Sequence, residues 1–160
     1  MKTSSFKKGF SIVEIIIAAA IIGVSVVGIV AAIQVYLKIV YQNTRETQAV
    51  LLLDETAEAL QYMRDDSFAN NYGSINYIDT YTIFWNGSGY QLSTSTIELP
   101  YQMTRTVVFA EVKRNGDDQI SPIGTTDDRT LNATVKIMWP YKGENKDITA
   151  QTLIHDLYEN

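Results

Sequence analysis

The sequence predicts an α+β protein: one long N-terminal helix, apolar at first and amphipathic later, followed by an antiparallel β-sheet. Three observations predict it. After Glu14 the chain runs uncharged until Lys38. The stretch from Lys38 to Arg64 consists mostly of good helix formers; the first proline is Pro100, and no glycine lies between Gly28 and Gly73. Beyond that glycine the composition shifts to β-branched and aromatic residues in short alternating runs. A helix followed by consecutive strands favours α+β with an antiparallel sheet.

The N-terminal element begins with Lys2, Lys7 and Lys8 and no acid among them, a bias that holds the N-terminus on the cytoplasmic side. About 20 apolar residues at roughly 1.5 Å rise cross a hydrocarbon core of about 30 Å, so residues 10–37 suffice as a transmembrane helix. A secretory signal peptide has an apolar core of about 7 to 15 residues and a small-residue cleavage site. "AAA" at 18–20 and "VAA" at 30–32 imitate such sites, but the run is too long and carries an acid near its start.

Residues 38–66 continue the helix. Val50, Leu53, Ala57 and Leu60 recur at three- and four-residue spacing with Asp54, Glu55 and Glu58 between them, which predicts a stripe that docks on a sheet face. The helix is expected to end near Arg64, where "DDSFANNYGS" reads as a loop. Residues 67–160 form the sheet domain. "TYTIFW" (80–85) and "YQLSTST" (90–96) flank "NGSG", a hairpin turn. "YQMTRTVVFAEVKR" (101–114) alternates through Met103, Val107, Phe109 and Glu111. "LNATVKIMW" (131–139) puts Leu131, Ala133, Val135, Ile137 and Trp139 on one face, and "DITAQTLIHDL" (147–157) is the last strand. A polar loop of about 14 residues separates the third and fourth strands, long for a compact domain.

Composition narrows the function. The absence of cysteine excludes disulfides and thiolate metal sites. Loss of the first nine residues would move the formal net charge from -5 to about -8, and so acidic a surface opposes nucleic-acid binding. No nucleophile elbow occurs, and the lone histidine, His155, reads as structural. No catalytic residue and no cofactor are predicted. Asp117, Asp118, Asp127 and Asp128 gather in the polar loop and could suit calcium, although their spacing fits no EF-hand.

The leader ending "KKG", then "FSIVE", then the uncharged apolar helix, resembles the class III signal of type IV pilins and type II secretion pseudopilins. The resemblance implies cleavage by a prepilin peptidase between Gly9 and Phe10, N-methylation of Phe10, and residues 1–9 as a leader in which Lys7 and Lys8 set orientation. Glu14 falls fifth after the cut, where the family places its glutamate. The resemblance further implies a type IV pilin-like fold and a structural role as a minor pilin or pseudopilin. In cadence "YTIFW", "TRTVVFAEV", "ATVKIMW" and "DITAQTLIHDLY" are similar to V-type minor pilins and I-type minor pseudopilins. Unlike many members, this chain has neither a proline within the apolar helix nor a C-terminal cysteine pair.

A carboxylate at the centre of a spanning helix costs about 2.5 to 3.5 kcal/mol. The amino group freed on Phe10 would be cationic, so Glu14 of one subunit and the terminus of its neighbour would fix the register between stacked helices. A glutamate snorkelling to the interface of an ordinary anchor is the simpler alternative. Ala19 with Gly23, and Gly28 with Ala32, are small-xxx-small pairs that permit close helix packing in lipid. The expected partners are prepilin peptidase, other pilins or pseudopilins, the inner-membrane assembly platform and, before assembly, membrane lipid. The expected location is the cytoplasmic (inner) membrane, single-pass with the N-terminus in the cytoplasm, and then an extracytoplasmic filament. The competing expectation is a membrane-anchored extracytoplasmic binding or enzymatic domain with an uncleaved anchor.

Overall fold

The computed structural model describes Gly9 and residues 11–157. Helix α1 spans Ile12–Tyr72. Strands β1 (Thr82–Trp85), β2 (Tyr90–Ser93), β3 (Glu98–Leu99), β4 (Met103–Arg114), β5 (Thr125–Tyr141) and β6 (Glu144–His155) follow, with a short 3₁₀ turn at Pro100–Gln102. The chain divides into two compact units, Met1–Thr44 and Arg45–Asn160. The helical residues from Arg45 onward therefore belong with the sheet, not with the apolar segment.

In the second unit β3-β4-β5-β6 form a four-stranded sheet and β1-β2 a separate two-stranded one, antiparallel throughout. Leu131, Ala133, Val135, Ile137 and Trp139 are all buried, as their alternation predicts. The helix covers them with Ala49, Thr56, Ala59, Leu60 and Met63, and Leu52 and Leu53 pack at the margin. This stripe lies one residue from the predicted one at its start, since Val50 is exposed and Ala49 buried. The facing sheet surface carries bulky Phe109, Ile137 and Trp139, so the helix approaches through its small residues. Hydrophobicity alone ranks valine above alanine and misses that fit.

The helix does not end at Arg64. It continues to Tyr72 with one break at Ser67, whose backbone is extended (φ -169°, ψ 108°). Ser67 acts as an internal N-cap: its hydroxyl accepts from the Asn70 amide at 3.3 Å. Asn71 Nδ2 donates back to the Met63 carbonyl at 2.7 Å, satisfying an acceptor that the break releases. The side chains that look like loop formers in the sequence are the ones that stabilise a break within the helix. The loop begins at Gly73, where a Cβ would overlap the Ala69 carbonyl.

Two further expectations change. A register shift between Glu111 and Lys113 breaks the alternation in β4, so Val112 is buried and Glu111 exposed. The polar loop shortens, because β5 starts at Thr125 and takes Asp127 and Asp128 into a strand. The predicted β1-β2 hairpin forms, and Asn86 Oδ1 accepts from Ser88 N, Ser88 Oγ and Gly89 N at 2.9, 2.9 and 3.0 Å. The β5-β6 hairpin turns through Lys142 and Gly143, both at positive φ (53° and 85°).

Arg105 occupies the buried face between Met103 and Val107, only 5% exposed. Its guanidinium donates to the Ile83 carbonyl at 2.6 Å, to Glu55 Oε1 at 3.2 Å and to Thr56 Oγ1 at 3.4 Å. One charged side chain thus joins α1, β1 and β4. Burial of a charge without such partners would cost several kcal/mol.

Candidate functional site: the apolar helix and its carboxylate

Every described residue from 11 to 41 is exposed. Among the described residues, α1 is the one helix long and apolar enough to cross a membrane, and its most apolar window buries nothing within the chain. β-branched residues dominate here, which lowers helix propensity slightly, but in lipid a helix is the conformation that satisfies its own backbone. Two hydroxyls of the first unit return their protons to the backbone: Ser25 Oγ to the Ile21 carbonyl at 2.7 Å, and Thr44 Oγ1 to that of Val40 at 2.9 Å. Neither therefore leaves an unsatisfied donor to be covered by lipid.

Glu14 sits in the first turn of α1, where a negative charge favours the helix dipole. Its backbone amide bonds to the Ser11 carbonyl at 3.0 Å, and among the described residues no group pairs with its carboxylate. Lys7, Lys8 and Phe10 lie outside the described residues; Gly9 is described and exposed.

The small residues are arranged in two sets. At about 100° per residue, Ala19 and Gly23 share one side of the helix, while Gly28 and Ala32 lie roughly opposite. Glu14 and Ala32 are separated by about five whole turns and fall on one line. A Cβ added at Gly23 or Gly28 would meet open space, so nothing among the described residues requires glycine at either position. Glycine inside a helix costs about 1 kcal/mol relative to alanine, and no internal packing offsets it here.

The remaining predicted residues are elsewhere. Asp127 Oδ2 accepts from Arg114 Nε at 2.6 Å and from Thr130 Oγ1 at 2.6 Å, and its Oδ1 from the Arg129 amide at 3.0 Å. Burial would raise its pKa, but the Thr130 and Arg114 side chains and the Arg129 amide outweigh that and lower it to about 2. Asp118 stands 3.7 Å from Arg114 Nε. Asp117 lies in the turn organised by Asn115, whose Oδ1 accepts from its amide at 3.0 Å. Among the described residues no three acidic or histidine side chains come together as a metal-binding group. The four aspartates are thus not assembled as calcium ligands, since Asp127 is committed to an arginine.

His155 Nδ1 lies 2.8 Å from Thr130 Oγ1, which makes an Asp127–Thr130–His155 line. The polarity is wrong for nucleophilic catalysis. The ionised carboxylate accepts the threonine proton, so Nδ1 must donate to the hydroxyl oxygen and cannot take its proton. Thr130 is also 2% exposed. The sequence signal for this cluster was only the threonine and histidine in strand contexts, with no spacing that pairs them.

Compared with known proteins, the chain matches no family model, no curated protein and no solved structure.

Proposed function

We propose that this chain is a minor pilin or pseudopilin: a non-enzymatic subunit cleaved after Gly9, methylated on Phe10 and built into a type IV pilus or a type II secretion pseudopilus. The carrying observation is a single helix whose first thirty or so residues expose their apolar side chains while Glu14, near the start, has no partner among the described residues. Lipid covers the apolar surface but leaves a carboxylate costly. A neighbouring helix with a freed, cationic N-terminus satisfies both. The opposed small-residue pairs support this reading, because a subunit inside a helical filament must approach neighbours on more than one side.

In this reading the precursor is a single-pass protein of the inner membrane with its N-terminus in the cytoplasm. Prepilin peptidase and the assembly platform act on it there, and the sheet domain becomes the outer surface of the filament. The test is the mass of the mature protein from cells that express the peptidase. We expect loss of residues 1–9 plus one methyl group, and retention of the leader in Gly9→Leu. An intact Met1, or a cut near residue 20 or 32, would instead identify an anchored extracytoplasmic domain.

A further inference from the structure

The break at Ser67 opens a cleft in the second unit between the last turns of α1 and the β1-β2 hairpin. It consists of two openings of about 250 and 200 Å³ that share Met63, Asn71 and Gln91. Together they fall within the lower part of the roughly 300–1,000 Å³ range of small-molecule sites. Among the described residues the lining is dominated by amides and hydroxyls, with Asp66 as its one carboxylate and no lysine, arginine or histidine.

Several of these groups have capacity to spare. The three donors inside its own turn hold Asn86 by its Oδ1, which leaves both Nδ2 protons without an acceptor among the described residues. The Asp66 carboxylate accepts only a long bond of 3.5 Å, from Asn71. Gln91 makes no side-chain hydrogen bond within the described residues. Beside the polar groups stands a line of aromatic rings. Tyr62 and Tyr90 meet edge to face at 5.9 Å, and Tyr90 meets Trp85 at 5.2 Å. Trp85 is 54% exposed and Tyr62 49%, although burying either ring would be favourable.

We infer that this cleft binds a neutral saccharide. Sugar hydroxyls both donate and accept, as the amides do, and the C–H face of a pyranose lies flat on an aromatic ring. The absence of any cation in the lining disfavours phosphate, sulfate or uronate ligands, and the amides disfavour an apolar one. The inference does not depend on filament assembly, since all of its residues lie in the second unit.

The test uses the full chain in phosphatidylcholine nanodiscs, free of glycoside detergents. Lactose, maltotriose, cellotriose and N,N′,N″-triacetylchitotriose are titrated by calorimetry, with 3′-sialyllactose as an anionic comparison. We expect saturable binding of at least one neutral sugar at about 10 mM or below, weakened about tenfold or more in Trp85→Ala and in Gln91→Ala. Both side chains are exposed, so unchanged circular dichroism should accompany the loss. Absence of binding by all four neutral sugars, equal binding by both variants, or tighter binding of 3′-sialyllactose than of lactose would overturn the inference.

Discussion

The two parts of α1 share a conformation and differ in almost everything else. From Ile12 to Tyr41 the helix exposes isoleucines and valines and buries nothing; from Arg45 to Tyr72 it buries a stripe of mostly small and medium residues on a sheet. The carboxylates follow the same division. Glu14 has no partner among the described residues, whereas Glu55 meets Arg105 at 3.2 Å and Glu46 meets Lys146 at 3.1 Å. The first part leaves its apolar side chains exposed and is long and apolar enough to cross a membrane.

Exchanging one charge in each part gives the largest expected contrast. If the chain is the filament subunit proposed above, Glu14→Gln should reduce incorporation into filaments at least tenfold, read as the ratio of sheared to cell-associated protein, while cleavage and methylation proceed. Glu58→Gln, an exposed change on the second part, should leave incorporation unaltered. Equal incorporation of Glu14→Gln and the parent would show that the carboxylate does not set the register.

Packing sharpens the comparison at a smaller scale. Leu60 is fully buried, so Leu60→Ala should lower the stability of the sheet unit by about 2 to 5 kcal/mol in denaturant unfolding. Ile22 is 63% exposed, and Ile22→Ala should change that stability by less than about 0.5 kcal/mol. Similar losses in both variants would mean that the apolar segment supports the sheet unit after all.

Legibility divided along the same line. The apolar segment was readable because a span requires only length and lack of charge, and β5 because Leu131 to Trp139 alternate without interruption. Four features were not readable, each for a physical reason. The break at Ser67 is capped by Ser67 and Asn71, and serine and asparagine signal a loop equally well. The bulge near Val112 slips the alternation by one residue, and no glycine or proline marks it. Arg105 interrupts an apolar face, and its acceptability rests on Glu55, Thr56 and Ile83, which are distant in sequence. The turn at Lys142–Gly143 lacks the Asn-Gly or Asp-Gly pair that announces its geometry. In the candidate site, the glycines and Glu14 could be placed on helix faces from spacing alone, but spacing does not say what meets those faces.

The smallest effect concerns Asp127, the carboxylate whose partners are all internal. Its ordinary value of 3.8 falls to about 2 in the folded chain, because Thr130, Arg114 and the Arg129 amide outweigh the opposing effect of burial. A depressed folded pKa stabilises fully above the unfolded value and ceases to do so as protons bind the folded state. The contribution, about 2 kcal/mol, should therefore be present above roughly pH 4 and disappear between about pH 4 and pH 2. Other carboxylates titrate in the same window, so the informative quantity is the stability difference between the parent and Asp127→Asn. That difference should be greatest near neutral pH and shrink as acid is added. A difference that stays constant down to pH 2 would mean that Asp127 contributes through hydrogen-bond shape rather than charge. The contrast with Glu14, whose charge has no partner among the described residues, would then rest on geometry alone.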